Sequence, residues 1–150
     1  MKIVEGSKYL ADVKKLIIEY TDSLNRNLEF QGLRQELENL DSKYKQGDIF
    51  IALSHQNEPM GCVALYEHNK NRCEMKRLYV KPKYRKLKLG KKLVERIIQS
   101  AKDKGYKEMV LDTIKPLKSA IHLYKKFGFV ECEPYYNNPM NDVIYLKLKL

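Results

Sequence analysis

The 150-residue sequence lacks any apolar run that approaches the roughly 20 residues needed to span a bilayer. Its first residues, Met1–Gly6, include an acid and no apolar signal region. Internal repeats, low-complexity tracts and linkers are also missing. Hydrophobic residues make up 43% and charged residues 32% of the chain, as in soluble globular proteins. We therefore predict one cytoplasmic domain over residues 1–150 that does not contact a membrane.

Cysteine is scarce as well. The three cysteines are Cys62, Cys73 and Cys132, an odd number, and none forms a Cys-x-x-Cys pair. Cys62 and Cys73 fall inside strand-like segments. This pattern is typical of buried thiols in a reducing compartment, and it predicts neither a disulfide framework nor a metal site.

Acidic residues are absent from one strongly basic segment. The chain has a net charge of +10, and seven of the twelve residues from Lys81 to Lys92 are basic. Such a segment suits nucleic acid, a membrane surface or a phosphate-rich cofactor, and a solvated surface loop is the plain alternative. It lies between a predicted strand at 73–80 and a predicted helix at about 90–104. The free N–H groups and the dipole of a helix N-terminus favour an anion there.

The hydrophobic pattern predicts an α/β fold. Apolar residues three and four apart predict a helix over Leu10–Leu24 with Ser7 as its cap, and a shorter helix over 33–40. Gly105 is predicted to end the helix at about 90–104. Pro116 is predicted to open a further helix that ends at Gly128. The predicted strands are 2–5, 49–55, 60–67, 73–80, 108–113, 129–132 and 143–150. The resulting order is β-α-α-β-β-β-α-β-α-β-β.

Two motifs resemble those of a known family. The segment Arg85–Gly90 (RKLKLG) resembles the acetyl-CoA-binding loop of the GNAT N-acetyltransferases, usually Gln/Arg-x-x-Gly-x-Gly/Ala between a strand and a helix. Farther on, Ala120–Phe129 (AIHLYKKFGF) resembles the family's second hallmark, a helix that ends in Leu-Tyr-x-x-x-Gly-Phe. The order and spacing match, and the resemblance covers nearly the whole chain. The sequence departs from the pattern at Lys88, where a glycine is usual, and at Leu117, where an asparagine is frequent.

The resemblance implies a single-domain GNAT fold, with a mixed central sheet of about six to seven strands flanked by about four helices. It implies direct transfer of an acetyl group from acetyl-CoA to a primary amine, without a metal. The acceptor is then a small-molecule or peptide amine whose identity the sequence does not show. Two alternatives stay open: a CoA-binding protein of this fold without transfer activity, and a basic nucleic-acid-binding module. The resemblance is also compatible with a homodimer.

The resemblance further implies site residues. Tyr124 matches the tyrosine that protonates the departing thiolate of CoA, and its alternative role is a core aromatic. Glu74, eleven residues before Arg85, matches a general base of related histone acetyltransferases, and its alternative role is a salt bridge with Lys76. In the loop 134–139, which could also be an ordinary turn, the residues implied to border the acceptor are Tyr135, Tyr136 and Asn137. The resemblance implies that the fourth strand diverges from the fifth and that the pantetheine arm of CoA lies in the gap. The residues implied to bind CoA are Leu78, Tyr79, Val80, Arg85, Lys86, Leu87, Lys88, Leu89, Gly90 and Lys91.

Lys88 allows a prediction about the backbone of the loop. Glycine tolerates either sign of φ, whereas a lysine at positive φ meets a steric penalty. We therefore predict that Lys88 has a right-handed helical or bridge conformation, with its N–H toward the pyrophosphate of CoA.

Overall fold

The computed structural model describes residues 1–29 and 32–150, and within them it contains seven strands and five α-helices. The strands are β1 (Lys2–Glu5), β2 (Asp48–Leu53), β3 (Pro59–Glu67), β4 (Arg72–Val80), β5 (Glu108–Ile114), β6 (Val130–Glu131) and β7 (Val143–Lys149). The helices are α1 (Leu10–Leu24), α2 (Leu33–Glu38), α3 (Leu40–Lys43), α4 (Leu89–Asp103) and α5 (Lys118–Lys126). The predicted α/β class and strand number are confirmed, and the predicted helix over 33–40 is divided at Asn39 into α2 and α3. No helix in the described residues has the length and apolar character needed to cross a membrane.

All seven strands form one mixed sheet in the order β1-β2-β3-β4-β5-β7-β6. Neighbouring strands are antiparallel except β4 and β5, which are parallel. Helix α1 packs on one face, where Val13 and Ile17 join Ile51 of β2 in the core. Helix α4 packs on the other face, where Leu93 and Ile97 are fully buried. Each such side chain contributes about 1.5–3 kcal/mol to stability.

One predicted helix cap and one predicted helix start are wrong, and both helix ends marked by glycine are confirmed. Ser7 lies in a 3-10 turn and does not cap α1, whose N-cap residue is Tyr9. Helix α5 begins at Lys118 rather than Pro116, because Leu117 has a non-helical backbone with ψ 61°. Gly105 and Gly128 have φ values of 87° and 101°, the left-handed conformation that ends a helix after its last turn.

A β-bulge interrupts β4 in its middle. Lys76 pairs with Ala64 and Tyr79 pairs with Cys62, so two residues of β4 stand opposite one residue of β3. Arg77, the first of the two, has φ 61°. A bulge bends its strand and increases the local twist. Gly61 fits beside this bend because a Cβ there would lie 2.5 Å from the carbonyl oxygen of Tyr79.

The parallel pair β4–β5 is joined over only a short stretch. Its registered pairs run from Arg72–Glu108 to Glu74–Val110, although β4 continues to Val80 and β5 to Ile114. Over the same length β5 stays paired with β7 as far as Ile114. Beyond Glu74 the two strands therefore diverge, and a gap opens at the centre of the sheet.

Candidate active site

Two neighbouring cavities lie along the gap between β4 and β5. The outer cleft, of about 470 Å³, lies between β4 at Leu78–Val80 and the start of α5. The inner chamber, of about 60 Å³, lies deeper between β4 and β5. The residues that line both cavities are Tyr20, Leu24, Leu78, Leu117 and Tyr124. The outer cleft and the inner chamber are thus neighbours that share these residues.

The N-terminus of α4 lies at the mouth of the outer cleft. The first helical bond there runs from the Lys92 N–H to the Lys88 carbonyl. The N–H groups of Leu89, Gly90 and Lys91 therefore have no acceptor within the helix, and no side chain caps it. These groups and the helix dipole favour an anion at this position.

Lys88 contradicts the conformational prediction. Its φ of 57° and ψ of 26° are left-handed, not right-handed or bridge. The backbone leaves the 3-10 turn Pro82–Leu87 and enters α4 through this single residue, and a left-handed residue makes that sharp change of direction. A non-glycine residue in this conformation costs about 1–2 kcal/mol. The loop thus keeps a backbone conformation typical of glycine although the residue is lysine.

Gly90 leaves the same site open to close approach. It lines the outer cleft, and a Cβ built on it would lie 3.6 Å from Leu123 Cδ2 and 4.0 Å from Val80 Cγ2. The protein itself would accommodate such a methyl group. That methyl group would occupy the narrow entrance between α5 and β4. Because glycine has no side chain, a ligand has access there to the N–H groups of α4.

A basic groove of about 650 Å³ adjoins the outer cleft. Four of its nine lining residues are lysine or arginine, and none of those described is acidic. The nine residues are Arg85, Lys88, Gly90, Lys91, Ser119, His122, Leu123, Lys126 and Phe127. Arg85 also lines the outer cleft, where its Nε donates to the Val80 carbonyl at 3.0 Å. His122 and Lys126, to which the sequence assigned no role, belong to this groove because α5 faces the loop 85–91.

Tyr124 lies where the outer cleft and the inner chamber meet, and only 7% of its surface is exposed. Its ring packs edge-on against Phe129 at a centroid distance of 5.9 Å. The Phe129 N–H bonds back to the Tyr124 carbonyl at 3.1 Å, so the Gly-Phe pair that ends the motif fixes this turn. Burial raises the pKa of Tyr124, and Tyr20 and Asp112 act in the same direction. The hydroxyl, which has no hydrogen-bond partner among the described residues, therefore stays protonated.

Glu74 is buried at the last registered pair of β4 and β5. Its Oε1 contacts His68 Nε2 at 2.8 Å, and its Oε2 accepts from the Tyr135 hydroxyl at 3.0 Å. Arg72 Nε donates to His68 Nδ1 at 3.0 Å, which leaves the imidazole proton on Nε2 facing Glu74. Burial would raise the pKa of Glu74, but His68, Lys76 and Tyr135 together lower it.

The predicted partner Lys76 approaches Glu74 only to 3.8 Å, so His68 and Tyr135 make its closer contacts. Glu74 is not among the residues that line the inner chamber in the described part of the chain. Its role as general base stays a prediction.

The loop between β6 and β7 brings two tyrosines to carboxylates of β4 and β5. Tyr135 donates to Glu74, and Tyr136 donates to Oδ2 of Asp112. Asn138 Nδ2 in turn donates to the Tyr136 hydroxyl at 2.6 Å. Asn137 is exposed. The structure therefore brings two of the three predicted loop residues to the carboxylates of β4 and β5. Asp112 was not predicted from the sequence. The feature that could have indicated it is a lone carboxylate within the otherwise uncharged segment MVLDTI.

A buried ion pair holds the bulge of β4. Arg77 Nε and Nη2 donate to the two carboxylate oxygens of Glu36 in α2, each at 2.9 Å. Tyr44 donates to the same carboxylate at 2.9 Å, and Lys43 Nζ lies 3.1 Å from it. Burial would raise the pKa of Glu36, but Arg77, with Lys43 and Lys76, outweighs it and lowers this pKa to about 2. Arg77, which has positive φ and lines the inner chamber, is thus held in place by its ion pair with α2.

The diverging parallel strands, the uncapped helix and the buried tyrosine are the features implied by the sequence resemblance to an acyltransferase. The chain belongs to the GNAT acetyltransferase family: the family model "Acetyltransferase (GNAT) family" matches residues 15–129. An uncharacterized N-acetyltransferase, C1271.07c of Schizosaccharomyces pombe, is 44% identical over 144 residues, which cover 94% of this chain and 88% of that protein.

Solved structures agree with this family. A GNAT acetyltransferase of Staphylococcus aureus superposes with a TM-score of 0.82 at 23% identity, covering 99% of this chain and 98% of the other. A GNAT acetyltransferase of Elizabethkingia anophelis, solved with acetyl-CoA bound, superposes with a TM-score of 0.62 at 28% identity, covering 75% of this chain and 82% of the other. The first likeness shows the fold, and the second links it to a protein that holds acetyl-CoA.

Proposed function

We propose that the protein transfers an acetyl group from acetyl-CoA to a primary amine of a small molecule or peptide. The observation that carries this proposal is the row of neighbouring cavities that runs from the uncapped N-terminus of α4 and the basic groove to Tyr124. The basic groove and the uncapped helix N-terminus suit the phosphates of acetyl-CoA. The cleft that ends near the buried Tyr124 suits its slender pantetheine arm. The structural relative that holds acetyl-CoA supports the same ligand.

The charged half of acetyl-CoA fits the loop 85–91. The N–H groups of Leu89, Gly90 and Lys91 lack helical acceptors, and Gly90 presents no side chain at the entrance. We assign the pyrophosphate to these groups, together with the backbone of Arg85–Lys88. The lysines of the basic groove, Lys88, Lys91 and Lys126, would hold the remaining phosphate. The left-handed backbone of Lys88 favours binding rather than loss of binding at this loop, because it retains the turn that a glycine would make.

The pantetheine arm fits the outer cleft. The edge of β4 at Leu78–Val80 faces this cleft and has no registered partner in β5. Its backbone groups are therefore available to the amides of the arm. When bound, acetyl-CoA supplies an activated thioester carbonyl. Tyr124 lies at the inner end of the cleft and would donate its proton to the leaving sulfur, and the apolar wall around it excludes water.

Calorimetric titration with CoA tests the binding half of the proposal. Wild type should bind CoA saturably, and Arg85→Glu should weaken binding roughly tenfold or more, because one charge-assisted contact contributes about 1.5–3 kcal/mol. The matched control is Lys102→Glu, the same charge reversal in the last turn of α4, away from the cleft. It should bind CoA nearly as tightly as wild type.

Three outcomes would count against this assignment. Equal losses in both variants would mean that only the net charge matters. No binding by wild type at millimolar CoA would contradict the proposal outright. A salt-sensitive gel shift with RNA or DNA, in the absence of CoA binding, would favour the nucleic-acid alternative for the basic segment.

A further inference from the structure

The charges that line the inner chamber are unevenly compensated. Three cations line it, and each is paired with a carboxylate within 4.0 Å. The pairs, with their N–O distances, are Arg26–Asp142 at 2.6 Å, Arg77–Glu36 at 2.9 Å and Lys76–Glu74 at 3.8 Å. Asp112 is the one carboxylate among the described lining residues, and none of the ion pairs found in the described residues includes it. Among the described lining residues, the negative charge of Asp112 therefore has no cation as its ion-pair partner.

The carboxylate of Asp112 accepts a side-chain hydrogen bond at one of its two oxygens, and a backbone N–H also bonds to the carboxylate. Oδ2 accepts from the Tyr136 hydroxyl, which Asn138 fixes from behind. Oδ1 has no side-chain hydrogen-bond partner in the described part of the chain. Asp112 lies two residues beyond Val110, where the β4–β5 pairing stops, and it lines the chamber together with Tyr124. A group bound at Oδ1 would therefore lie in the same cavity as the acid proposed above.

The surroundings of Asp112 make it a stronger base than an ordinary aspartate. Burial is the largest cause and raises its pKa, and the charge of Glu74 acts in the same direction. The hydrogen bond from Tyr136 and the charge of Lys76 oppose this shift without cancelling it. A raised pKa brings a carboxylate nearer to the range in which it accepts a proton at neutral pH. The pKa of Glu74, in contrast, is lowered.

We infer that Asp112 binds the acceptor as a primary ammonium on an unbranched alkyl chain and accepts its proton before transfer. This inference rests on the proposed function. The chamber has room for on the order of four water-sized groups, enough for the nitrogen and a few methylene carbons. An α-amino acid fits poorly, because its carboxylate would lie near Asp112 while every lining cation already has a partner. The end of a polyamine and a lysine side chain both carry a primary ammonium on an unbranched alkyl chain.

The transfer step balances with Asp112 as base. The ammonium gives one proton to Asp112, and the lone pair of the neutral nitrogen forms a C–N bond with the thioester carbonyl carbon. The C–S bond then breaks, and its electron pair leaves on sulfur, which takes the proton of Tyr124. The second proton of the nitrogen returns through water to the tyrosinate. Asp112 finally releases its proton to solvent, so each turnover yields amide, free thiol and one proton.

The first test compares acceptors by release of free CoA thiol from wild type. We expect 1,4-diaminobutane or a peptide with an internal lysine to be acetylated far better than free α-amino acids, and the better of the two identifies the source of the alkyl amine. Preference for α-amino acids would overturn the inference but leave the proposed function standing. Thiol release with none of these amines, despite CoA binding, would contradict the proposed function itself.

The second test is Asp112→Asn, which keeps the size of the side chain. Its kcat/KM for the preferred amine should fall roughly 10²–10⁴-fold, with CoA affinity and melting temperature near wild type. The acid limb of the wild-type pH profile should disappear with it. If Asp112→Asn retains activity while Glu74→Gln loses it, Glu74 is the base and the inference is wrong.

A third comparison stays informative even if Asp112→Asn folds poorly. The charges of Glu74 and Lys76 and the hydrogen bond from Tyr136 act on Asp112. The other titratable groups that interact with its charge are Tyr20, Tyr124, Tyr135 and Tyr145. Tyr136→Phe removes a hydrogen bond to the ionised carboxylate, so the acid limb of kcat/KM should move to higher pH. Glu74→Gln removes a neighbouring negative charge, so the limb should move to lower pH. Shifts in the same direction, or none, would contradict Asp112 as the titrating base.

Discussion

Tyr124→Phe is expected to lower turnover roughly 10²–10⁴-fold, the range for loss of a general acid. The substitution removes one hydroxyl and keeps the ring that packs against Phe129. The hydroxyl has no hydrogen-bond partner in the described residues, so its removal leaves no buried group unsatisfied. CoA affinity and melting temperature should therefore stay near wild type, and the loss should appear in kcat rather than in KM.

Tyr20→Phe is the matched control. Tyr20 belongs to α1 and lines both the outer cleft and the inner chamber, on the wall opposite α5. Tyr20→Phe thus removes the same kind of group as Tyr124→Phe from a residue that lines the same two cavities. Turnover that is unaffected in Tyr20→Phe but lost in Tyr124→Phe would support the assignment. The reverse result would place the acid on α1, and full activity of Tyr124→Phe would make Tyr124 a core aromatic only.

Glu36→Ala is expected to destabilise the protein by about 3–5 kcal/mol, because it leaves the guanidinium of Arg77 buried without a counter-charge. For a chain of this length the melting temperature should fall by roughly 6–20 °C. Asp142→Ala is the control, since it breaks a bidentate pair with Arg26 whose side chains are 26% and 25% exposed. A pair whose side chains keep a quarter of their surface in water loses less than a buried pair when one partner is removed, so the control should lose less. Similar losses in the two variants would show that burial of the Glu36–Arg77 pair is unimportant.

Acid should weaken the same pair without any substitution. The pKa of Glu36 is lowered from 4.5 to about 2, so its contribution to stability is fully present above pH 4.5 and is lost as the pH falls toward 2. That contribution is on the order of 3 kcal/mol. Urea unfolding at pH 7, 4.5 and 3 should show a fall in the free energy of unfolding below pH 4.5. Glu36→Gln should flatten this dependence, and an equally steep fall in that variant would assign it to other carboxylates.

The sequence predicted those parts of the fold whose residues interact with near neighbours. The three-four spacing of apolar residues predicted the observed bounds of α1, Leu10–Leu24. Such a prediction is possible because the buried face of a helix repeats among residues that are close in the sequence. The glycines that end α4 and α5 were predictable for the same reason. The loop 85–90 and the motif around Tyr124 were recognisable because each is a short continuous segment.

Parts that depend on distant contacts were not predictable. Glu36 and Arg77 are 41 residues apart, and in the sequence Glu36 is an ordinary charge of a short polar helix. Asp112 becomes notable only once β4 and β5 diverge and the cations around it find their partners. The backbone of Lys88 was predicted wrongly because the intrinsic preference of lysine was weighed without the sharp turn that tertiary structure imposes there.

The left-handed residues Arg77 and Lys88 bear on how this protein could be made more heat-resistant. The other non-glycine residues with positive φ in the described chain, Asn25 and Asn57, are of a type that tolerates it. Arg77 and Lys88 enclose the half of β4 that borders the cleft, and each carries about 1–2 kcal/mol of backbone strain. Glycine at Lys88 would relieve that strain, whereas glycine at Arg77 would also leave the buried Glu36 without its partner and cost more than the strain. The bend at Lys88 shapes the entrance of the cavity, so this is also a position where a gain in stability would readily reduce activity.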